Sequence, residues 1–239
     1  MKTVDFTAMK DGTREEYLFL KPLEDEHIKG TAERVLRELR LQEEETLPGY
    51  KISRLTHGLQ SATRAYNEGA DIDWVVGALL HDIGDGLAPQ NHDKFAAEIL
   101  RPYMREEVVW TVEHHASFQM YYYAHHYGWN QHEREKYRAS PYYQSCVDFC
   151  ERWDQSSFDP AYPTRDLDFF VPMVREVLRQ VSVTAPAVEL VVKAPGSVRV
   201  PGDAAQLRNT RATGSIGSVV VLTESPRSQR IRSPRSSRA

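Results

Sequence analysis

The sequence predicts an all-α helical bundle over residues 1–180, followed by a basic tail, residues 181–239, that is mostly disordered. Three observations carry this. Apolar residues in the first 180 positions recur at helical spacing. No long alternating run argues for a strand. Composition then changes near residue 180: the tail holds nine of the 30 basic residues, three of the 34 acidic ones, and no aromatic residue or histidine. A segment so rich in Ser, Arg, Pro and Gly cannot bury enough apolar surface to offset its ordering entropy. Val188–Val192 and Ser218–Leu222 are its two candidates for a short strand or a docking segment.

Each helix has its own signal. Glu33–Glu43 turns Val35, Leu36 and Leu39 inward. Tyr50–Tyr66 places Ile52, Leu55, Leu59 and Ala62 on one stripe, with Gly69 beyond its end. Ile72–Ile83 follows a candidate cap at Asp71 and stops at Gly84. His92–Arg101 carries Phe95, Ala96 and Ile99, with Pro102 just beyond. A helix from Glu106 to about Tyr127 aligns Val108, Val109 and Val112. Pro141–Gln155 buries Cys146, Phe149, Cys150 and Trp153. Thr164 is the expected cap of a last helix with Phe170, Val174 and Leu178.

The tail's surplus of basic residues leaves −10 on the first 180 residues. An acidic folded domain argues against nucleic acid as a partner. No apolar run reaches the ~18 residues that suggest a membrane span. The opening MKTVDFTAMKDGTREEY lacks the apolar stretch of a signal peptide. Two cysteines, four residues apart, give no disulfide framework. The expectation is a cytoplasmic protein acting on a small molecule, with no membrane partner.

The chemistry must lie at His81-Asp82. The run Trp74–Leu80 before it is apolar on every side, as in a helix at the centre of a domain. A buried unpaired carboxylate costs several kcal/mol, so something must compensate Asp82. A divalent metal would suit both groups; an Asp82–Arg pair beside a hydrogen-bonded His81 is the plain alternative. His92 shares a face with Phe95, Ala96 and Ile99, and His115 continues the Val108/Val112 stripe. His114, rotated about 100° from it, follows Trp110 instead. Asp154 lies at the inner edge of a stripe with Val147 and Cys150. His57 is off its helix's apolar stripe, on the face of Tyr50 and Gln60, where a surface histidine is the ordinary reading. Four imidazoles and two carboxylates exceed the needs of one closed site and match two metals sharing Asp82. Met120–Tyr123 and Trp153 read either as helix packing or as an aromatic wall for a quaternary ammonium group.

The motifs THGLQSATRA, ALLHDIGD and FCERWDQ resemble those of the HD-domain superfamily. NHDKFAAEILRPY and VEHHASFQ are similar to its mixed-valent diiron oxygenase branch, which includes myo-inositol oxygenase and the phosphonate-cleaving oxygenases. Among these it looks most like the type acting on 1-hydroxy-2-(trimethylammonio)ethylphosphonate. The resemblance covers roughly residues 13 to 180 and implies an HD-domain helical bundle with two Fe ions in the Fe(II)/Fe(III) state. His57, His81, Asp82 and Asp154 would hold one iron; His92, His115 and the bridging Asp82 would hold the other. Tyr50 resembles a gating residue near the open iron position. Asp85, where some phosphonate-cleaving members carry a second histidine, and Gln119 are expected to face the substrate. The implied reaction is O2-dependent cleavage of the C–P or C–C bond of a small hydroxylated substrate, releasing phosphate and a carboxylic acid. The alternative is a metal-dependent phosphohydrolase using Mn or Mg on a phosphate ester or nucleotide.

Overall fold

The first helix, α1 (Arg14–Lys29), begins at a reciprocal cap: the Thr13 hydroxyl accepts from the Glu16 amide while the Glu16 carboxylate accepts from the Thr13 amide. The computed structural model describes residues 2–44 and 48–179, and among them there are eight α-helices and no strand. The tail and its two candidate stretches lie outside the described residues. No helix among those described is long and apolar enough to cross a membrane.

Periodicity gave no warning of α1, because the helix buries none of its residues and its cap supplies the local order. The second helix, α2 (Thr31–Leu41), starts two residues before the expected Glu33 and buries Val35, Leu36 and Leu39 as predicted, with Ala32 added. The third, α3 (Arg54–Asn67), starts four residues later than expected, because the Ser53 side chain caps it by accepting from the Thr56 amide. Tyr50 therefore sits in the preceding loop, one residue after Gly49, whose φ of 101° turns the chain there. The expectation that Tyr50 shares a helix and a face with His57 is corrected accordingly.

Asp71 caps α4 (Ile72–Leu80) by accepting from the Trp74 amide, and Arg105 pairs with both Asp71 and Asp73. This helix ends three residues before the expected Ile83, so His81 and Asp82 open a run of turns. The next helices are α5 (His92–Leu100) and α6 (Glu106–Tyr123), the latter closing in a 3₁₀ turn, Ala124–Tyr127. The seventh, α7 (Tyr143–Phe149), passes directly into a π-helical turn, Cys150–Asp154. Asp166 caps α8 (Leu167–Val177) by accepting from the Phe169 amide. Thr164, the expected cap, instead donates its hydroxyl to the Tyr162 carbonyl.

The core is built on α4, whose Val75, Val76, Ala78, Leu79 and Leu80 are all buried. Burying each of these valine and leucine side chains is worth roughly 1.5–3 kcal/mol. Against it, α3 packs so closely that a Cβ on Gly58 would come 2.7 Å from the Leu79 carbonyl oxygen. This approach brings His57 alongside the end of α4.

Candidate metal centre

Six side chains from five places in the chain converge around Asp82. His57 comes from the first turns of α3, His81 and Asp82 from the turn after α4, and His92 from the start of α5. His115 comes from the middle of α6, and Asp154 from the end of the π-turn. His57, His81, Asp82, His115 and Asp154 are buried, and His92 is the most open, with its side chain 21% exposed.

The four imidazoles share one orientation. Nδ1 donates to a backbone carbonyl in each: His57 to Ser157 at 2.8 Å, His81 to Ala78 at 2.8 Å, His92 to Pro89 at 3.2 Å and His115 to Val112 at 2.7 Å. A carbonyl only accepts, so Nδ1 carries a proton in each ring and Nε2 is the nitrogen turned inward, the one left bare for a metal whenever the ring is neutral. Metal-binding histidines are oriented in this way.

The Nε2 atoms meet the carboxylates in two groups. Oδ2 of Asp82 lies 3.5 Å from His57 Nε2 and 3.6 Å from His81 Nε2. Asp154 Oδ1 stands 3.2 and 3.5 Å from the same two nitrogens. On the other side, Asp82 Oδ1 lies 3.2 Å from His115 Nε2 and 3.3 Å from His92 Nε2. Donor atoms of His57, His81 and Asp154, and of His81, Asp82 and His115, lie within 4.8 Å of one another, close enough to hold an ion.

Electrostatics agree with that fit. Burial opposes charge on His57 and His81, yet the carboxylates of Asp154 and Asp82 outweigh it and raise both imidazoles above their usual range. Burial likewise opposes ionisation of Asp82 and Asp154, but His81 and its neighbouring imidazoles hold both carboxyls well below the usual range. The cluster therefore takes up positive charge, which a metal would supply in place of protons. Asp154 Oδ2 is buried and accepts no hydrogen bond, an orphaned lone pair that a cation would satisfy. The donors are imidazole nitrogens and carboxylate oxygens only. Cys146 and Cys150 instead turn their thiols to the carbonyls of Thr111 and His115.

A cleft of about 550 Å³ opens onto the cluster and reaches five of the six donors; His81 lies behind them. Tyr50 and Gln119 line it, so Tyr50 reaches the cleft from its loop. Asp85 is not among the lining residues: its Oδ2 lies 2.5 Å from Arg54 Nε. Of the expected aromatic wall, Tyr122 and Tyr123 line the cleft. Trp153 packs edge-on against Trp74 and donates to Glu68, because the π-turn points it away from the opening. The surface reading of His57 is also corrected: it is 1% exposed, covered by the ring of Phe158 stacked 4.5 Å away. His114 stacks on Trp110 at 4.2 Å and faces away from the donors.

Arg54, Tyr127, Trp129 and Phe158 also line the cleft and were not singled out from the sequence. Arg54 stands three residues before His57, nearly one helical turn, which is the signal that could have found it. The other three lie outside the α-helices, where periodicity carries no information.

Residues 54–154 match the HD domain family, a span that begins at Arg54, ends at Asp154 and contains all six donors. No curated protein is significantly similar to the chain. An HD domain with a buried His/Asp cluster able to hold a metal points to a metal-dependent HD enzyme.

Proposed function

We propose that this protein is a dinuclear iron oxygenase that uses O2 to cleave the C–P bond of a small hydroxylated phosphonate bearing a quaternary ammonium group. The products are inorganic phosphate and a carboxylic acid. The observation that carries this reading is the division of Asp82: each carboxylate oxygen faces a different pair of histidines at the floor of one cleft. That division supports two metals, one held by His57, His81, Asp82 and Asp154, the other by Asp82, His92 and His115. Bound iron would supply the O2-binding position and the redox equivalents that no side chain here provides.

The chain's own part is positioning and exclusion. Carbonyl contacts to the four Nδ1 atoms fix the rings and keep Nε2 available. Tyr50, Tyr122, Tyr123, Tyr127, Trp129 and Phe158 give the cleft an aromatic lining. Aromatic faces attract a quaternary ammonium at ~0.5–2 kcal/mol per contact. Gln119 offers an amide to a substrate oxygen without adding charge. Arg54 is the single lysine or arginine among the described residues lining the cleft, which suits one small anionic group better than the several charges of a nucleotide.

The test is aerobic incubation of Fe(II)-loaded protein with 1-hydroxy-2-(trimethylammonio)ethylphosphonate. Phosphate release matched by O2 uptake is the expected result. Phosphate release from an ester, without O2 and with Mn(II), would replace this reading with a hydrolase.

A further inference from the structure

We propose that Arg54, held in place by Asp85, is the residue that binds the anionic end of the substrate and so determines which substrates enter. The inference rests on the small-anion substrate of the proposed function, but concerns binding and not oxygen chemistry. Arg54 opens α3 and reaches into the cleft beside the metal donors, its side chain 16% exposed. Nε lies 2.5 Å from Asp85 Oδ2, a close ion pair whose angle does not make an aligned hydrogen bond. Nη1 lies 3.4 Å from Asp82 Oδ2.

Among the described residues Nη2 has no protein partner, and it is not sealed from solvent. The guanidinium carbon is 5.3 Å from the centre of the Tyr50 ring, which limits where the group can swing. An arginine serving only to neutralise two carboxylates would direct its terminal fork at them. Here Asp85 engages the inner nitrogen and only one arm of the fork, Nη1, turns to Asp82, while Nη2 keeps its donors for an oxyanion lying next to Asp82. A guanidinium is suited to this because it is permanently charged and offers parallel donors to phosphonate or carboxylate oxygens. Asp85 acts through Arg54 and is a positioning residue.

The experiment uses the full chain loaded with metal under anaerobic conditions, so that no turnover occurs. Binding of methylphosphonate, acetate and choline is measured by calorimetry for wild type, Arg54→Gln and Arg54→Lys, with metal content recorded for each. Loss of a charged hydrogen bond is expected to weaken methylphosphonate about ten- to hundredfold in Arg54→Gln, with choline binding and metal content unchanged. Arg54→Lys should fall between, keeping the charge but losing the fork. A larger loss for methylphosphonate than for acetate assigns the site to phosphonates; the reverse assigns it to carboxylates and leaves Arg54 as the anion residue. Unchanged anion affinity, or loss of metal from Arg54→Gln, would overturn the proposal and leave Arg54 a support for Asp82. Absence of O2 uptake with anion binding intact would count against the oxygenase reading alone.

Discussion

His115 Nε2 lies 3.2 Å from Asp82 Oδ1, across 33 residues of chain and two helices. The same carboxylate turns its other oxygen to His57 and His81, so each histidine pair addresses its own side of Asp82. Asp82→Ala removes a donor from both sides at once and should reduce bound metal from two ions per chain to almost none. Metal analysis after dialysis checks this; one ion per chain in wild type, retained in Asp82→Ala, would contradict a shared carboxylate.

Adjacent histidines on α6 should behave differently. His115→Ala should lose one metal and all activity, because its Nε2 faces Asp82. His114→Ala should keep both metals and lose the ring's contacts with Trp110 and Tyr137, worth about 0.5–1.5 kcal/mol each, together with the Nδ1 hydrogen bond to the Trp110 carbonyl. Equal metal loss in the two variants would refute the assignment of faces.

Acidity should act in opposite senses on the metal-free and metal-loaded protein. His57 and His81 are raised above 6.5 in the metal-free fold, so they stabilise it below that pH. Their contribution disappears as pH rises through the raised values. Asp82 and Asp154, depressed below 3.8, contribute above that value and lose the contribution as pH falls through their folded values. Metal needs neutral imidazoles, so its stabilisation grows as protons leave. The melting-temperature gap between loaded and chelator-treated protein should therefore widen from pH 6 to pH 8, by about 2–4 °C for each kcal/mol of linkage. A gap that narrows would show that the imidazoles do not bind the metal.

Gln42 should matter despite lying outside the donor set. It is 3% exposed, and its side-chain amide donates to the Asp82 carbonyl at 2.7 Å. Gln42→Leu removes one of the two hydrogen bonds that carbonyl accepts, the other coming from the Asp85 amide at 3.0 Å, at a cost of about 0.5–1.5 kcal/mol. It should also weaken metal binding about tenfold or more, as losses behind a metal ligand do. Chemical denaturation and a metal-competition titration would measure the two effects separately.

Much of this centre was legible in the sequence. His81-Asp82 after an apolar helix, and His92 and His115 on apolar stripes, were readable because helical spacing reports which way a side chain faces. His57 was not readable that way, since the wall that buries it is Phe158, about a hundred residues downstream. Gln42 was missed for the same reason: its partner is a backbone carbonyl 40 residues away. Tyr127 and Trp129 follow the end of α6, where no repeating pattern fixes direction. The signal for α1 lay in the Thr13–Glu16 cap, which helical spacing does not report and which was not read from the sequence.

The π-turn at Cys150–Asp154 has a consequence for how this centre can be altered. A π-turn winds more residues into each revolution than the α-helix before it, which changes the angle at which every later residue leaves the axis. Asp154 ends that turn, so its aim is set by chain length as well as by its own identity. Lengthening Cys150–Trp153 by one residue should carry the carboxylate about 100° further around the axis, away from His57 and His81. An insertion that leaves all six donors in the chain would then disable the centre as thoroughly as replacing one of them.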